Sequence, residues 1–111
     1  MSREKREPAS KLIYDKQVTI CKAFASASRL RILDLIGQRP YSVSELQEEL
    51  SISKPNLSQH MTILKAAGII LTHREGKQVY CSLAIPEVKQ ACQLIRNVLR
   101  AQIRSEQLMA V

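Results

Sequence analysis

The stretch SVSELQEELSISKPNLSQHMTILKAAGI, residues 42–69, decides the fold of this chain. It opens on Ser42-Val43-Ser44-Glu45, a capping box in which the Ser42 hydroxyl accepts from the Glu45 backbone and the Glu45 side chain reaches back. Tyr41 and Leu46 stand at the spacing of a hydrophobic staple, so a helix starts here and ends near Leu50. After the short link Ser51-Ile52, Ser53 begins a second cap, with Pro55 in the first turn where its missing N–H costs little. Leu57, Met61 and Leu64 then form one apolar stripe, and Gly68 stops the helix. Two short helices joined by a tight turn are therefore expected.

The flanks extend this core. Upstream, Leu12, Ile13, Val18, Ile20, Cys21 and Phe24 recur at near-helical spacing, and Leu30, Ile32, Leu33, Leu35 and Ile36 continue until Gly37 and Pro40 break the pattern. That predicts two helices joined near residues 26–28. Downstream of Gly68 the period changes to alternation over residues 69–74 and 78–83, around Glu75-Gly76-Lys77, which predicts a β-hairpin with a charged tip. From Pro86 a long helix follows, with Val88, Ala91, Cys92, Ile95, Val98, Leu99 and Ile103 on one stripe and Arg96, Arg100 and Arg104 four apart on another, which reads as a solvated face. The fold class is mainly α with a small β-hairpin wing, a winged helix-turn-helix. Residues 1–9, charged and without a periodic apolar stripe, read as a flexible lead-in, and residues 10–111 as a single winged helix-turn-helix domain.

Composition agrees. A chain of 111 residues with 45% hydrophobic content supports one core, and the near absence of aromatics leaves Leu, Ile, Val and Ala to build it, as packed helices do. A formal charge of +7 draws polyanions, so nucleic acid or an anionic surface is the expected partner. The polar start lacks the apolar stretch of a signal peptide and no apolar run approaches membrane length, so a cytoplasmic protein without membrane contact is expected. With only three glycines, no phosphate-cradling glycine loop and no His-Glu-x-x-His run, the chain does not read as an enzyme.

With Leu57, Met61 and Leu64 turned inward, Lys54, Asn56, Ser58, Gln59, Thr62 and Lys65 face outward or flank the stripe. These amides, hydroxyls and ammonium groups suit base edges and phosphates, and no acid interrupts residues 51–74. Ser53 opens a helix N-terminus whose free N–H groups suit a phosphate, while Arg74 and Lys77 bracket the hairpin tip within reach of the DNA backbone. Sequence-specific DNA binding is the expected function. A winged-helix module for protein contacts or nonspecific DNA coating, without effector sensing, is the competing reading, since the same charge would serve it.

The segments Lys22-Ala23-Phe24-Ala25, Arg29-Leu30-Arg31-Ile32-Leu33, Ser53 to Met61, Leu64 to Ile69 and Arg74 to Tyr80 together resemble the ArsR/SmtB family of transcriptional repressors, over about residues 16–83. The resemblance implies a homodimer through the first and last helices, bound to a dyad-symmetric operator until an effector releases it. It also adds His60 to Ser58 and Gln59 as a DNA contact, although a histidine beside a core stripe also serves packing.

The effector is where the pattern departs. Metalloid-sensing members carry a Leu-Cys-Val-Cys-Asp-Leu run, and the matching run here, Tyr41 to Leu46, has serines at both thiolate positions, which hydroxyls cannot replace for soft ions. The last helix has no histidine for the zinc site of other members. In sulfide and redox sensors of the family the reactive cysteines sit on the second and last helices, about where Asp34 and Arg100 stand here. Cys21 and Cys92, on the apolar stripes of the first and last helices, remain as candidates for soft-metal or thiol sensing in a dimer. Free cysteine more often serves as a small buried hydrophobe, the reading that fits Cys81.

Overall fold

The structure, a computed structural model, describes residues 2–110, with side chains over 10–107. Five helices and three short strands follow in the order α1 (Ser2–Phe24), α2 (Ala27–Ile36), β1 (Tyr41–Ser42), α3 (Val43–Leu50), α4 (Lys54–Ala66), β2 (Ile70–Glu75), β3 (Gln78–Leu83) and α5 (Glu87–Ala110). The lead-in expected over residues 1–9 lies outside the residues whose side chains are described, and from Ser2 its backbone continues α1.

The local signals shape the helices. Ser26 caps α2 by accepting from the Arg29 N–H at 3.3 Å. The capping box of α3 is complete: the Glu45 N–H donates to Ser42 Oγ at 3.1 Å, and the Ser42 N–H donates to Glu45 Oε1 at 2.9 Å. Both members of the expected staple, Tyr41 and Leu46, are buried. Ser53 caps α4 by accepting from the Asn56 N–H, and beyond α4 Gly68 takes a φ of 74°, a left-handed setting that only glycine adopts freely.

Hairpin β2–β3 is antiparallel, running from Ile70 opposite Leu83 to Glu75 opposite Gln78. Gly76 opens its two-residue loop with a φ of 62°, so the loop follows the twist of the strands. A third strand, which the sequence analysis did not foresee, joins the other edge of β3: Tyr41 pairs with Cys81 and Ser42 with Tyr80, giving the sheet order β1-β3-β2. The N-cap of α3 is thus also a sheet residue, which fixes the angle between the wing and the helix-turn-helix.

Ile32, Leu46, Leu57, Leu64, Ile69 and Ile70 make the buried centre, where each aliphatic side chain contributes about 1.5–3 kcal/mol. Met61, expected on the stripe of α4, is partly buried at its margin. Helices α1 and α5 both pack on α2 but leave long apolar faces uncovered. No helix among the described residues is long and apolar enough to cross a membrane.

Candidate nucleic-acid interface

Helix α4 is anchored from beneath by Leu57 and Leu64, both fully buried. Their spacing of seven residues turns the opposite face to solvent, and there Lys54, Asn56, Ser58, Gln59, Thr62 and Lys65 are all exposed. Ser53 is exposed at the helix start, with its hydroxyl oxygen engaged by the Asn56 N–H. The tight turn before α4 runs through Ser51 at a φ of 53° and ψ of 46°, and its N–H reaches the carbonyls of Gln47 and Glu48. This left-handed residue lets α3 stop and α4 start within three residues.

Several of these groups have protein partners. The Thr62 hydroxyl donates to the Ser58 carbonyl at 2.8 Å, and Lys65 Nζ donates to Thr72 Oγ1 on β2 at 3.0 Å, linking the end of the helix to the wing. His60 departs from the outward row: it is half-buried, with Nδ1 3.2 Å from Arg29 Nη1. Lys54, Asn56, Ser58 and Gln59 form the outward patch on the first half of the helix.

On the wing, Arg74 and Lys77 are exposed on either side of the Gly76 turn. Between the wing strands His73 stacks on Tyr80, with ring centroids 5.5 Å apart and planes 17° from parallel, and His73 Nε2 approaches Glu75 at 3.4 Å. Residue spacing alone gave no sign of this stacking, although alternation already set His73 and Tyr80 on facing strands. Arg39 was likewise not foreseen from the sequence: its guanidinium lies 3.8 Å over the Tyr41 ring and donates to Glu45 at 3.0 Å. That hydrogen bond and the Ser42 N–H hold the Glu45 carboxyl below its ordinary range.

The cysteines occupy three different environments. Cys81 is buried in the sheet, and burial pushes its thiol up to about 11. Cys92 is buried between α5 and α2, where burial first and Asp34 second push its thiol up against the smaller opposing effect of Arg96. Cys21 is exposed on α1. Among the described residues no group of three or more His, Cys, Asp or Glu side chains gathers for a metal ion. Arg96, expected to belong to a solvated arginine row, instead pairs with Asp34 of α2 at the edge of a polar cavity of about 280 Å³ bordered by Gln38, Lys89 and Cys92.

A tight helix-turn-helix with an outward polar second helix, joined to an antiparallel wing carrying cations, defines a winged helix-turn-helix protein. Comparison with known proteins agrees. The profile of the bacterial regulatory protein ArsR family matches residues 26–72. The HTH-type transcriptional regulator Rv0081 of Mycobacterium tuberculosis is 31% identical over 100 residues, 89% of this chain and 87% of the relative. Its crystal structure superposes with a TM-score of 0.74 over 92% of this chain and 98% of that one, at 32% identity. The transcriptional activator HlyU of Vibrio cholerae is 35% identical over 83 residues, 75% of this chain and 77% of HlyU. The homodimeric winged helix-turn-helix DNA-binding domain Mb0332 of Mycobacterium bovis superposes with a TM-score of 0.75 at 27% identity, over 81% of this chain and 83% of that one. The chain belongs to the ArsR family of regulatory proteins, and it is a DNA-binding transcriptional regulator rather than an enzyme.

Proposed function

We propose that the chain works in the cytoplasm as a homodimer that reads a dyad-symmetric operator with the exposed face of α4. Lys54, Asn56, Ser58 and Gln59 reach base edges and phosphates, Ser53 and the N-terminus of α4 receive a phosphate, and Arg74 and Lys77 hold the flanking backbone. Thr62 and Lys65 border the footprint, and His60 meets DNA through the ring edge that Arg29 leaves open. The observation that carries this reading is the division of α4: Leu57 and Leu64 are fully buried, while the opposite face exposes a polar row without a single acid.

The dimer is supported by uncovered apolar side chains on the first and last helices. Tyr14 is 66% exposed, Leu94 64% and Val98 60%, far beyond what one small domain leaves on its surface without a partner. A dimer bound over a promoter acts as a repressor by occluding it, and release requires an effector. HlyU is named an activator, so the direction of regulation is read by a promoter reporter in cells with and without the protein. Sensing through Cys21 and Cys92 belongs to this reading only where a dimer brings the two helices together. Gel-shift titration with soft metals, oxidants and persulfides, repeated with Cys21→Ser and Cys92→Ser, tests it.

Footprinting on DNA enriched from a random pool tests the core of the reading. Two protected half-sites about one helical turn apart are expected. Uniform protection with no dyad would support nonspecific coating, and no protection would leave protein contacts as the role of the winged helix.

A further inference from the structure

Arg29 stands in the first turn of α2, half-buried, and makes three side-chain hydrogen bonds to two other helices. Its Nε donates to the Ala23 carbonyl at 2.7 Å and its Nη2 to the Lys22 carbonyl at 3.2 Å. These carbonyls belong to the last turn of α1, where helix geometry leaves acceptors without partners inside the helix, the Lys22 carbonyl also accepting from the Ala25 N–H at 3.2 Å, and where a cation meets the negative end of the helix. Its remaining arm, Nη1, lies 3.2 Å from Nδ1 of His60 on α4. A guanidinium has only donors, so Nδ1 must accept, and the neutral imidazole then carries its proton on Nε2. The fork of one planar group thus spans the end of α1 and the middle of α4, a reach that lysine, with a single nitrogen, does not have.

We infer that Arg29 is a positioning residue for DNA reading, which clamps His60 of α4 to the last turn of α1. The setting of the reading helix thereby follows a helix that carries a large share of the uncovered apolar surface, with Leu12, Ile13, Tyr14, Val18 and Ile20. With Nδ1 occupied, Nε2–H is the ring group left for DNA, a donor suited to a phosphate oxygen or a purine N7. Arg29 itself contributes by holding His60, not by touching DNA. The inference rests on the DNA reading of α4 proposed above.

A double-mutant cycle on the full chain tests it, with affinity measured on the duplex that the unaltered protein enriches from a random pool. Arg29→Gln should weaken binding about tenfold, as loss of a charge-assisted bond would, while leaving the salt slope unchanged. In a His60→Leu background the same substitution should cost less than about twofold, because the partner is already gone. In a His60→Asn background, where the amide oxygen stands near the place of Nδ1 and still accepts, the cost of Arg29→Gln should persist. Equal losses in the Leu and unaltered backgrounds would overturn the inference, and so would a salt slope lower by about one ion, which would make Arg29 a phosphate contact. Should Arg29→Gln fail to fold, the two single variants still decide: His60→Leu should bind about tenfold more weakly than His60→Asn, and equal affinities would refute the clamp. An unaltered protein that enriches no sequence would sink the DNA reading itself, a result distinct from an operator binder indifferent to Arg29.

Discussion

Val98→Glu is the sharpest test of the assembly, because the substitution should leave the subunit unharmed and abolish its pairing. Val98 lies on α5 and is 60% exposed, so in one chain a glutamate there meets water, and glutamate suits a helix better than valine. The apolar surface it belongs to comprises five large side chains on α1 and five on α5, each about half exposed. At on the order of 100 Å² apiece they offer roughly 1,000 Å² per subunit, within the range of stable interfaces. Closing a two-fold interface over this position would bury two carboxylates, one from each copy, without partners. At about 3 kcal/mol each, the cost is about 6 kcal/mol per dimer, or roughly four decades in Kd. Sedimentation velocity should therefore show the unaltered protein as a dimer at micromolar concentration and Val98→Glu as a monomer, with the same helical circular dichroism for both. Operator binding should fall with dimerisation, because one half-site carries only part of the contacts. A Val98→Glu protein that sediments as a dimer would refute the argument, since this face would then lie outside the interface.

Four further outcomes follow from particular contacts. Lys77→Ala should lower the slope of log affinity against log salt by about one ion, and an unchanged slope would remove Lys77 from the footprint. Ser51→Gly should raise the stability of the fold by about 0.5–1 kcal/mol in urea unfolding, because the left-handed φ of 53° strains a residue with a Cβ; a loss of stability would show that the serine has an unrecognised partner. Glu45 titrates below its unfolded value through Arg39 and the Ser42 N–H, so its contribution is present above the unfolded carboxylate range and is lost as pH falls through the folded value. Arg39→Gln should flatten that acid limb of the stability curve, and more so at low salt, because both side chains are partly exposed. Cys81, with its thiol pushed up to about 11 by burial, should resist alkylation at neutral pH until the protein unfolds, as mass spectrometry of labelled peptides would report.

Much of the molecule was legible in the order of its residues. Ser42 with Glu45, Ser53 with Pro55, Gly68 and the alternation around Gly76 are signals that act within about four residues, so each states its own local structure. The stripe of Leu57 and Leu64 marks the inner face of α4 and, by helical geometry alone, the outer one that carries the polar row. Family resemblance led to the same face and added His60.

Tertiary structure decided what depends on residues far apart in the chain. Tyr41 and Ser42 form a strand only because β3 offers an edge some forty positions later, and two residues are too few to show any alternation of their own. Asp34 meets Arg96 and Arg29 meets His60 because α2 runs against α5 and α4, so an arginine row that reads as solvated has one member paired with another helix and a histidine that reads as a DNA contact has half its ring occupied. The physical reason is range: a cap or a turn is satisfied by neighbours and is written in their spacing, whereas a long side chain finds its partner only after packing has set the distance between helices.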